Sequence, residues 1–81
     1  MSSRVTIFAD FNNADAKGRI RLSTTGSLED IANNNITLKV GLEVRLDDYE
    51  SLSTNGTLEF SDDENIWVAR IDWDNIDEKK G

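Results

Sequence analysis

Carboxylates are the side chains of this chain with the most obvious capacity for chemistry, and they occur in three short clusters. The 81 residues include 16 Asp and Glu but no histidine and no cysteine. The clusters are Asp47, Asp48 and Glu50; Asp62, Asp63 and Glu64; and Asp72, Asp74 and Asp77. A pair of carboxylates can act as general acid and base only in a pocket that desolvates one of them and shifts its pKa. We expect loops on so small a domain to lack such walls, so the sequence predicts a protein that is not an enzyme.

The same composition restricts nucleophilic catalysis and metal binding. Serine and threonine hydroxyls have no histidine to activate them. Calcium, which prefers carboxylate and carbonyl oxygens, is the one metal that the composition allows. Residues 72–77 show an Asp-x-Asp spacing but lack the loop glycine and the distant bidentate glutamate of a calcium loop. We therefore expect no metal and no cofactor, with calcium at the acidic loops as the alternative.

Two aromatic residues stand directly between carboxylates. Tyr49 lies between Asp48 and Glu50, and Trp73 lies between Asp72 and Asp74. An exposed ring beside acidic groups is a good anchor for an arginine or lysine side chain, because cation–π contact and charge pairing act together. The alternative is that both rings complete the rim of the core. The candidate binding residues are Asp47, Asp48, Tyr49, Trp73 and Asp74.

The net charge of −7 is distributed unevenly along the chain. Residues 1–46 carry six basic and five acidic side chains, whereas residues 47–81 carry three basic and eleven acidic ones. An acidic surface repels phosphate backbones and suits a basic protein partner. We expect no nucleic-acid binding, which would need a basic patch built from Arg4, Lys17, Arg19 and Arg21. The plainest alternative is that the acidic loops serve only solubility.

The length of the chain predicts a single domain with a thin core. A domain of this size buries only about 60% of its unfolded surface, and the absence of cysteine leaves it without disulfides. Residues 1–10 lack a long apolar stretch, and no segment approaches the roughly 18 apolar residues of a membrane span. We expect one domain over residues 1–76, a mobile charged tail over residues 77–81, and a cytoplasmic location without membrane association.

Alternating apolar and polar residues predict a β-rich fold. Val5, Ile7, Ala9 and Phe11 share one face of a first strand, with Phe8 as an apolar exception on the polar face. A loop over residues 12–18 and a strand over residues 19–23 would complete a first hairpin. Residues 26–32 predict a helix of two turns at most, capped by Ser27 and ended by three asparagines.

The second half of the chain predicts further strands separated by polar turns. The predicted segments are a strand over 36–46 that passes through Gly41, a polar loop over 47–56 with an Asn55-Gly56 turn, a short strand over 57–60, an acidic turn over 61–65, a strand over 66–72 and a single turn over 74–76. On the last strand, we expect Trp67, Ala69 and Ile71 to face the core. Short antiparallel strands at this spacing favour a meander that curls into a small barrel, with the helix at one end.

Three segments of the second half resemble the middle strands of SH3-like small barrels. They are Gly41–Asp48, Asn55–Phe60 and Trp67–Trp73, in which a glycine opens one strand and an aromatic strand carries a small alanine. The resemblance implies a small SH3-like antiparallel barrel of five to six strands with one short helix. Ile66 precedes Trp67 where peptide-binding members have a second tryptophan, so we do not expect the chain to bind proline-rich peptides.

The whole chain is also similar to a group of small bacterial proteins of unknown function. The shared features are a Gly-Arg-x-Arg-Leu segment at Gly18–Leu22, a Leu-Glu-Asp helix at Leu28–Asp30 and an Ile-Asp-Trp ending at Ile71–Trp73. This resemblance implies no activity. We therefore expect an acidic protein-interaction module, adaptor or subunit that binds a basic protein surface. The alternatives are a structural or regulatory protein acting by strand addition at an open sheet edge and, less expected, a nucleic-acid-associated barrel.

Overall fold

The computed structural model describes residues 4–78, and six strands of two to ten residues dominate them. The elements in chain order are β1 (Thr6–Phe8), β2 (Ile20–Arg21), α1 (Thr25–Asn33), β3 (Glu43–Asp47), β4 (Leu52–Ser61), β5 (Ile66–Ile71), a 3₁₀ helix (Trp73–Asn75) and β6 (Asp77–Glu78). The fold is mainly β with one α-helix, which confirms the fold class predicted from the sequence. No helix within residues 4–78 is long and apolar enough to cross a bilayer.

The strands form one curled sheet that stays open as a half-barrel. Its order is β1-β3-β4-β5-β2, and β6 pairs with the beginning of β4. The prediction of an antiparallel sheet is wrong at one edge, because β1 pairs with β3 in parallel, with Thr6 opposite Arg45. The chain crosses from β1 to β3 by way of β2 and α1, and this long connection permits the parallel pairing.

The core lies on the inner face of the curled sheet. Its fully buried residues include Ile7 of β1, Ile20 of β2, Leu46 of β3, Leu58 of β4 and Ala69 of β5. Burying each leucine or isoleucine of this set stabilises the folded state by on the order of 1.5–3 kcal/mol relative to leaving the side chain exposed. The predicted inward face of β5 is confirmed, since Trp67 and Ile71 also pack against this cluster while remaining partly accessible.

Gly56 lies inside β4, so the predicted Asn55-Gly56 turn is wrong, whereas the strand predicted over residues 57–60 is present as part of the longer strand β4. A Cβ on Gly56 would lie 3.0 Å from Leu46 Cδ1 and 3.4 Å from Ala69 Cβ. The glycine therefore lets three strands approach closely where the sheet curls.

The turn between β3 and β4 spans residues 48–51, where Tyr49 adopts a left-handed φ of 60°. The acidic turn after β4 is confirmed, and Asn65 takes a φ of 59° there.

The first half of the chain differs from the prediction in two connections. β1 and β2 lie at opposite edges of the sheet. Residues 13–15 instead pair with residues 19–21, because Asp15 Oδ1 accepts the N–H groups of Lys17 and Arg19 and closes a local turn. Residues 36–40, predicted as a strand, are irregular. A turn closed by the Leu42 N–H and the Lys39 carbonyl, with Gly41 at φ 93°, interrupts the extended chain there.

Helix α1 is slightly longer than predicted and has a different cap. Thr24, not Ser27, is the N-cap, and its Oγ1 accepts the Ser27 N–H at 3.2 Å. Ser27 is instead fully buried, and its hydroxyl donates to the Phe8 carbonyl. The helix ends at Asn33, within the predicted asparagine run.

The single turn predicted over residues 74–76 is present as the 3₁₀ helix over Trp73–Asn75. Asp77 and Glu78, expected in the tail, pair with Ser53 and Leu52 as β6, while residues 79–81 of that tail lie outside the described residues.

Candidate functional site

One end of the sheet collects the acidic segments that follow three of its strands. Because β1 and β3 are parallel while β4 and then β5 reverse direction, the segments that follow β1, β3 and β5 extend toward the same end of the sheet, although β5 ends level with Gly56 while β1 and β3 end level with Ser53. We call this the acidic end and define it as residues 10–12, 48–51 and 72–75. Its acidic residues are Asp10, Asp48, Glu50, Asp72 and Asp74. The hairpin over residues 62–65 lies at the opposite end of the ten-residue strand β4, roughly 30 Å along that strand from residues 48–51.

The loop between β3 and β4 is built around the Asp48 carboxylate. Its Oδ1 accepts the backbone N–H groups of Glu50, Ser51 and Leu52 at 2.8, 2.9 and 3.0 Å. Asp47 Oδ1 accepts the Tyr49 N–H at 2.7 Å in the same way. Side chains of this kind replace backbone partners in tight turns. Asp47 and Asp48 are therefore structural residues of the loop that presents Tyr49.

Tyr49 projects from this loop onto α1 and β1. Its hydroxyl donates to Asp30 Oδ2 at 2.9 Å, and its ring stacks on Phe8 with centroids 6.0 Å apart and planes inclined by 26°. The side chain is still 56% exposed. Although the ring faces solvent, desolvation of the hydroxyl end against α1, together with its hydrogen bond to Asp30, raises the pKa of the Tyr49 phenol. The phenol thus stays protonated and donating at neutral pH.

A surface pocket of about 440 Å³ opens beside the Tyr49 ring. Its walls come from the end of β1, the residues after it, and the β3–β4 loop. The lining residues are Phe8, Asp10, Phe11, Asn12, Asp48, Tyr49, Glu50 and Leu52. Three of these are aromatic and three carry carboxylates, whereas none is basic. Such a pocket combines ring faces with negative charge, which is the chemistry that favours an organic cation.

Trp73 occupies the other flank of β4, against the turn over residues 15–18. Its indole Nε1 donates to the Gly18 carbonyl at 2.8 Å, and the side chain is 46% exposed. Asp72 holds the 3₁₀ helix, because its Oδ1 accepts the Asp74 N–H at 3.0 Å and its Oδ2 accepts the Asn75 amide. The Asp74 side chain is exposed. The indole N–H of Trp73 is therefore held by Gly18, while nearly half of the side chain remains accessible to solvent.

All five arginines of the chain form ion pairs with its own carboxylates. Arg19 bridges Asp15 and Glu59 at 2.9 and 3.1 Å, and Arg70 contacts the same Glu59 at 2.6 Å. The remaining pairs are Arg4 with Glu43, Arg21 with Glu64 and Arg45 with Asp77. The strand registers place many of these groups on the outer face of the sheet, away from the core. The positive charge of the arginines is thus largely compensated within the chain.

These pairs shift the pKa values of the carboxylates that take part. Hydrogen bonds from Arg70 and then Arg19 lower the pKa of Glu59, and a hydrogen bond from Arg21 lowers the pKa of Glu64. Desolvation by itself would raise the pKa of Asp15, but hydrogen bonds from Arg19 and from the Lys17 N–H outweigh it and lower that pKa. All three carboxylates are therefore ionised at neutral pH.

The five predicted binding residues lie at or beside the acidic end but divide between two places. Asp47, Asp48 and Tyr49 belong to the β3–β4 loop, whereas Trp73 and Asp74 belong to the 3₁₀ helix beyond β5. Both rings are exposed, as one of the two sequence-based interpretations expected.

Sequence reasoning missed the contribution of residues 8–12 to the pocket beside Tyr49. The one available signal was Phe8, an apolar residue on the polar face of β1. It also missed Asp30, whose side-chain contact with Tyr49 joins positions 19 residues apart.

Comparisons with known proteins find no matching family model, no matching curated protein and no matching solved structure. Residues 4–78 contain no group of three or more Asp or Glu side chains arranged to hold a metal ion.

Proposed function

We propose that the protein is an acidic protein-interaction module, acting as an adaptor or small subunit that binds a basic surface of another protein. One observation carries this proposal: two exposed aromatic rings stand among carboxylates at the acidic end, while every arginine is engaged in an ion pair. Rigidly held rings supply contact area, and the excess negative charge supplies attraction and orientation.

Neither alternative function has comparable support in the structure. Strand addition needs an open edge, yet the outward N–H and C=O groups of Phe8 on β1 are bound by Asp30 and Ser27 of α1. The edge of β2 is bound by residues 13–15. Nucleic-acid binding needs free cations, yet of the four residues Arg4, Lys17, Arg19 and Arg21, the three arginines are paired with carboxylates. We therefore place the binding function at the acidic end.

Affinity isolation with the tagged chain tests this proposal. Partners are captured from the source cells, washed in parallel at low salt and at on the order of 0.5 M salt, where the Debye length is about 4 Å, and the identified partner is then purified. The affinity of the chain for the purified partner must fall as salt rises, and the Trp73→Ala variant must bind that partner more weakly than the native chain. A partner whose affinity is insensitive to salt would contradict the proposal and point to strand addition or apolar docking.

A further inference from the structure

The pocket beside Tyr49 has a chemical character that narrows the kind of group it can accept. Its volume of about 440 Å³ is near the lower end of the roughly 300–1,000 Å³ typical of small-molecule sites. It is large enough for one long side chain or a small organic cation. Among its lining residues, Phe11 is buried with 8% of its surface accessible, whereas Tyr49 is exposed. The site is therefore concave and lined with aromatic rings.

The rings of this pocket are held in place by the fold. Phe8 is fixed by β1 and by the stacked Tyr49 ring. Tyr49 is fixed at both ends, by its hydroxyl on Asp30 and by its N–H on Asp47. Side chains that are ordered before binding lose little entropy when a ligand arrives. The pocket is thus preorganised to accept a flat or extended group along the Tyr49 wall.

The charges of the pocket come from two different segments. Asp10 follows β1, and its Oδ1 accepts the Asn12 N–H at 2.9 Å. Glu50 belongs to the β3–β4 loop and is exposed. No lining residue is basic, and all arginines of the chain are paired with other carboxylates. Within residues 4–78, the pocket lining therefore offers negative charge to a cationic group of another molecule.

We infer that this pocket binds the guanidinium group of an arginine side chain presented by a protein partner. A guanidinium is planar, so it can stack on an aromatic wall while its five N–H donors reach carboxylates on more than one side. Lysine offers a compact ammonium that is more strongly hydrated and stacks less well. This inference rests on the proposed function and specifies the group by which the partner is recognised.

Titration of the intact chain with short peptides, followed by two-dimensional NMR of its amides, tests the inference. The probes are acetyl-Gly-Arg-Gly-amide, the same peptide with citrulline as a neutral isostere, and the same peptide with lysine. We expect saturable shifts of the Phe8, Asn12, Tyr49 and Glu50 amides with the arginine peptide. We expect no saturation with citrulline and binding at least about threefold weaker with lysine.

Three variants connect the shifts to the pocket. Glu50→Gln and Tyr49→Leu should each weaken the arginine peptide about fivefold, whereas Tyr49→Phe, which keeps the ring but loses the hydroxyl bound to Asp30, should weaken it less than Tyr49→Leu does. Asp63→Asn, at the far hairpin, is the matched control and should not change affinity. The spectra themselves show whether each variant is folded, and Glu50→Gln changes an exposed side chain only.

Three results would overturn the inference: equal binding of citrulline, equal or tighter binding of lysine, or shifts that map to residues 62–65. These results are distinguishable from failure of the proposed function. If the purified partner still binds in a salt-dependent way while the pocket ignores arginine, the interaction module stands and the pocket assignment is wrong. If neither the purified partner nor the arginine peptide binds, both the proposed function and the pocket assignment are wrong.

Discussion

Asp30 of helix α1 accepts the backbone N–H of Phe8 in edge strand β1 at a distance of 2.8 Å. On the same residue of β1, the carbonyl accepts a hydrogen bond from the Ser27 hydroxyl. Two helical side chains thus occupy the positions that a neighbouring strand would otherwise fill. Covering an edge in this way suppresses unwanted pairing between sheets. The same Asp30 carboxylate holds the Tyr49 hydroxyl, so the edge cover and the candidate site share one residue.

Replacement of Asp30 should destabilise the fold and loosen Tyr49. Asp30→Ala leaves the partly buried Phe8 N–H without a partner, and we expect the free energy of unfolding to fall by about 1–3 kcal/mol. Equilibrium urea denaturation measures this change. The neighbouring exposed residue provides the control, since Glu29→Ala should alter stability by no more than about 0.5 kcal/mol. Equal effects of the two substitutions would show that the hydrogen bond does not support the edge.

Gly26 should be intolerant of even one additional methyl group. A Cβ there would lie 2.8 Å from Phe8 Cδ2 and 3.0 Å from Phe8 Cγ. In an unobstructed helix, Gly→Ala stabilises by up to about 1 kcal/mol, but here we expect Gly26→Ala to destabilise by about 1–3 kcal/mol through overpacking. The double variant Gly26→Ala/Phe8→Leu should recover part of that loss. A gain of stability in the single variant would contradict this packing.

Local patterns explain which elements could be predicted from the sequence. Apolar and polar residues alternate around Val44 and Leu46 in β3 and around Trp67 and Ala69 in β5. This alternation by itself identifies the face of each strand that packs in the core. The Asn55-Gly56 pair misleads because the same residue types suit both a hairpin turn and a close approach of strands. Only the positions of Leu46 and Ala69 above Gly56 distinguish the two.

The parts of the site that escaped prediction depend on long-range contacts. Nothing near Asp30 in the sequence indicates that its carboxylate binds residues 8 and 49, because the parallel pairing of β1 with β3 creates that neighbourhood. The exposure of Tyr49 and Trp73 likewise depends on the turns that hold them. The three acidic clusters could be found from the sequence, but the role of Asp48 as a scaffold for its own loop could not.

The ion pairs of Glu59 should make stability sensitive to acid. Its pKa is lower in the folded chain than the ordinary value of 4.5, owing to hydrogen bonds from Arg70 and then Arg19. The ionised form therefore stabilises the fold above that ordinary value, and this contribution disappears as pH falls through the lower folded pKa. We expect Glu59→Gln to be less stable than the native chain at pH 7, and we expect this difference to shrink as the pH falls below 4.5.

Urea titrations of both proteins across this pH range measure the effect. Glu29→Gln, on the exposed face of α1, is the control and should differ from the native chain by less than about 0.5 kcal/mol at each pH. A difference between Glu59→Gln and the native chain that stays constant from pH 7 to pH 3 would show that the Glu59 ion pairs do not stabilise the fold.

Charge reversal at two exposed carboxylates tests the central claim that binding occurs at the acidic end. Asp48 is unsuitable for this purpose because its carboxylate holds the β3–β4 loop. Glu50→Lys changes the charge beside Tyr49, and Asp63→Lys makes the same change at the opposite end of β4. The decisive measurement is the Kd of each variant for the purified basic partner at low salt. The account predicts that Glu50→Lys weakens binding about tenfold or more while Asp63→Lys changes it less than about threefold; equal losses in the two variants, or no loss in Glu50→Lys, would contradict it.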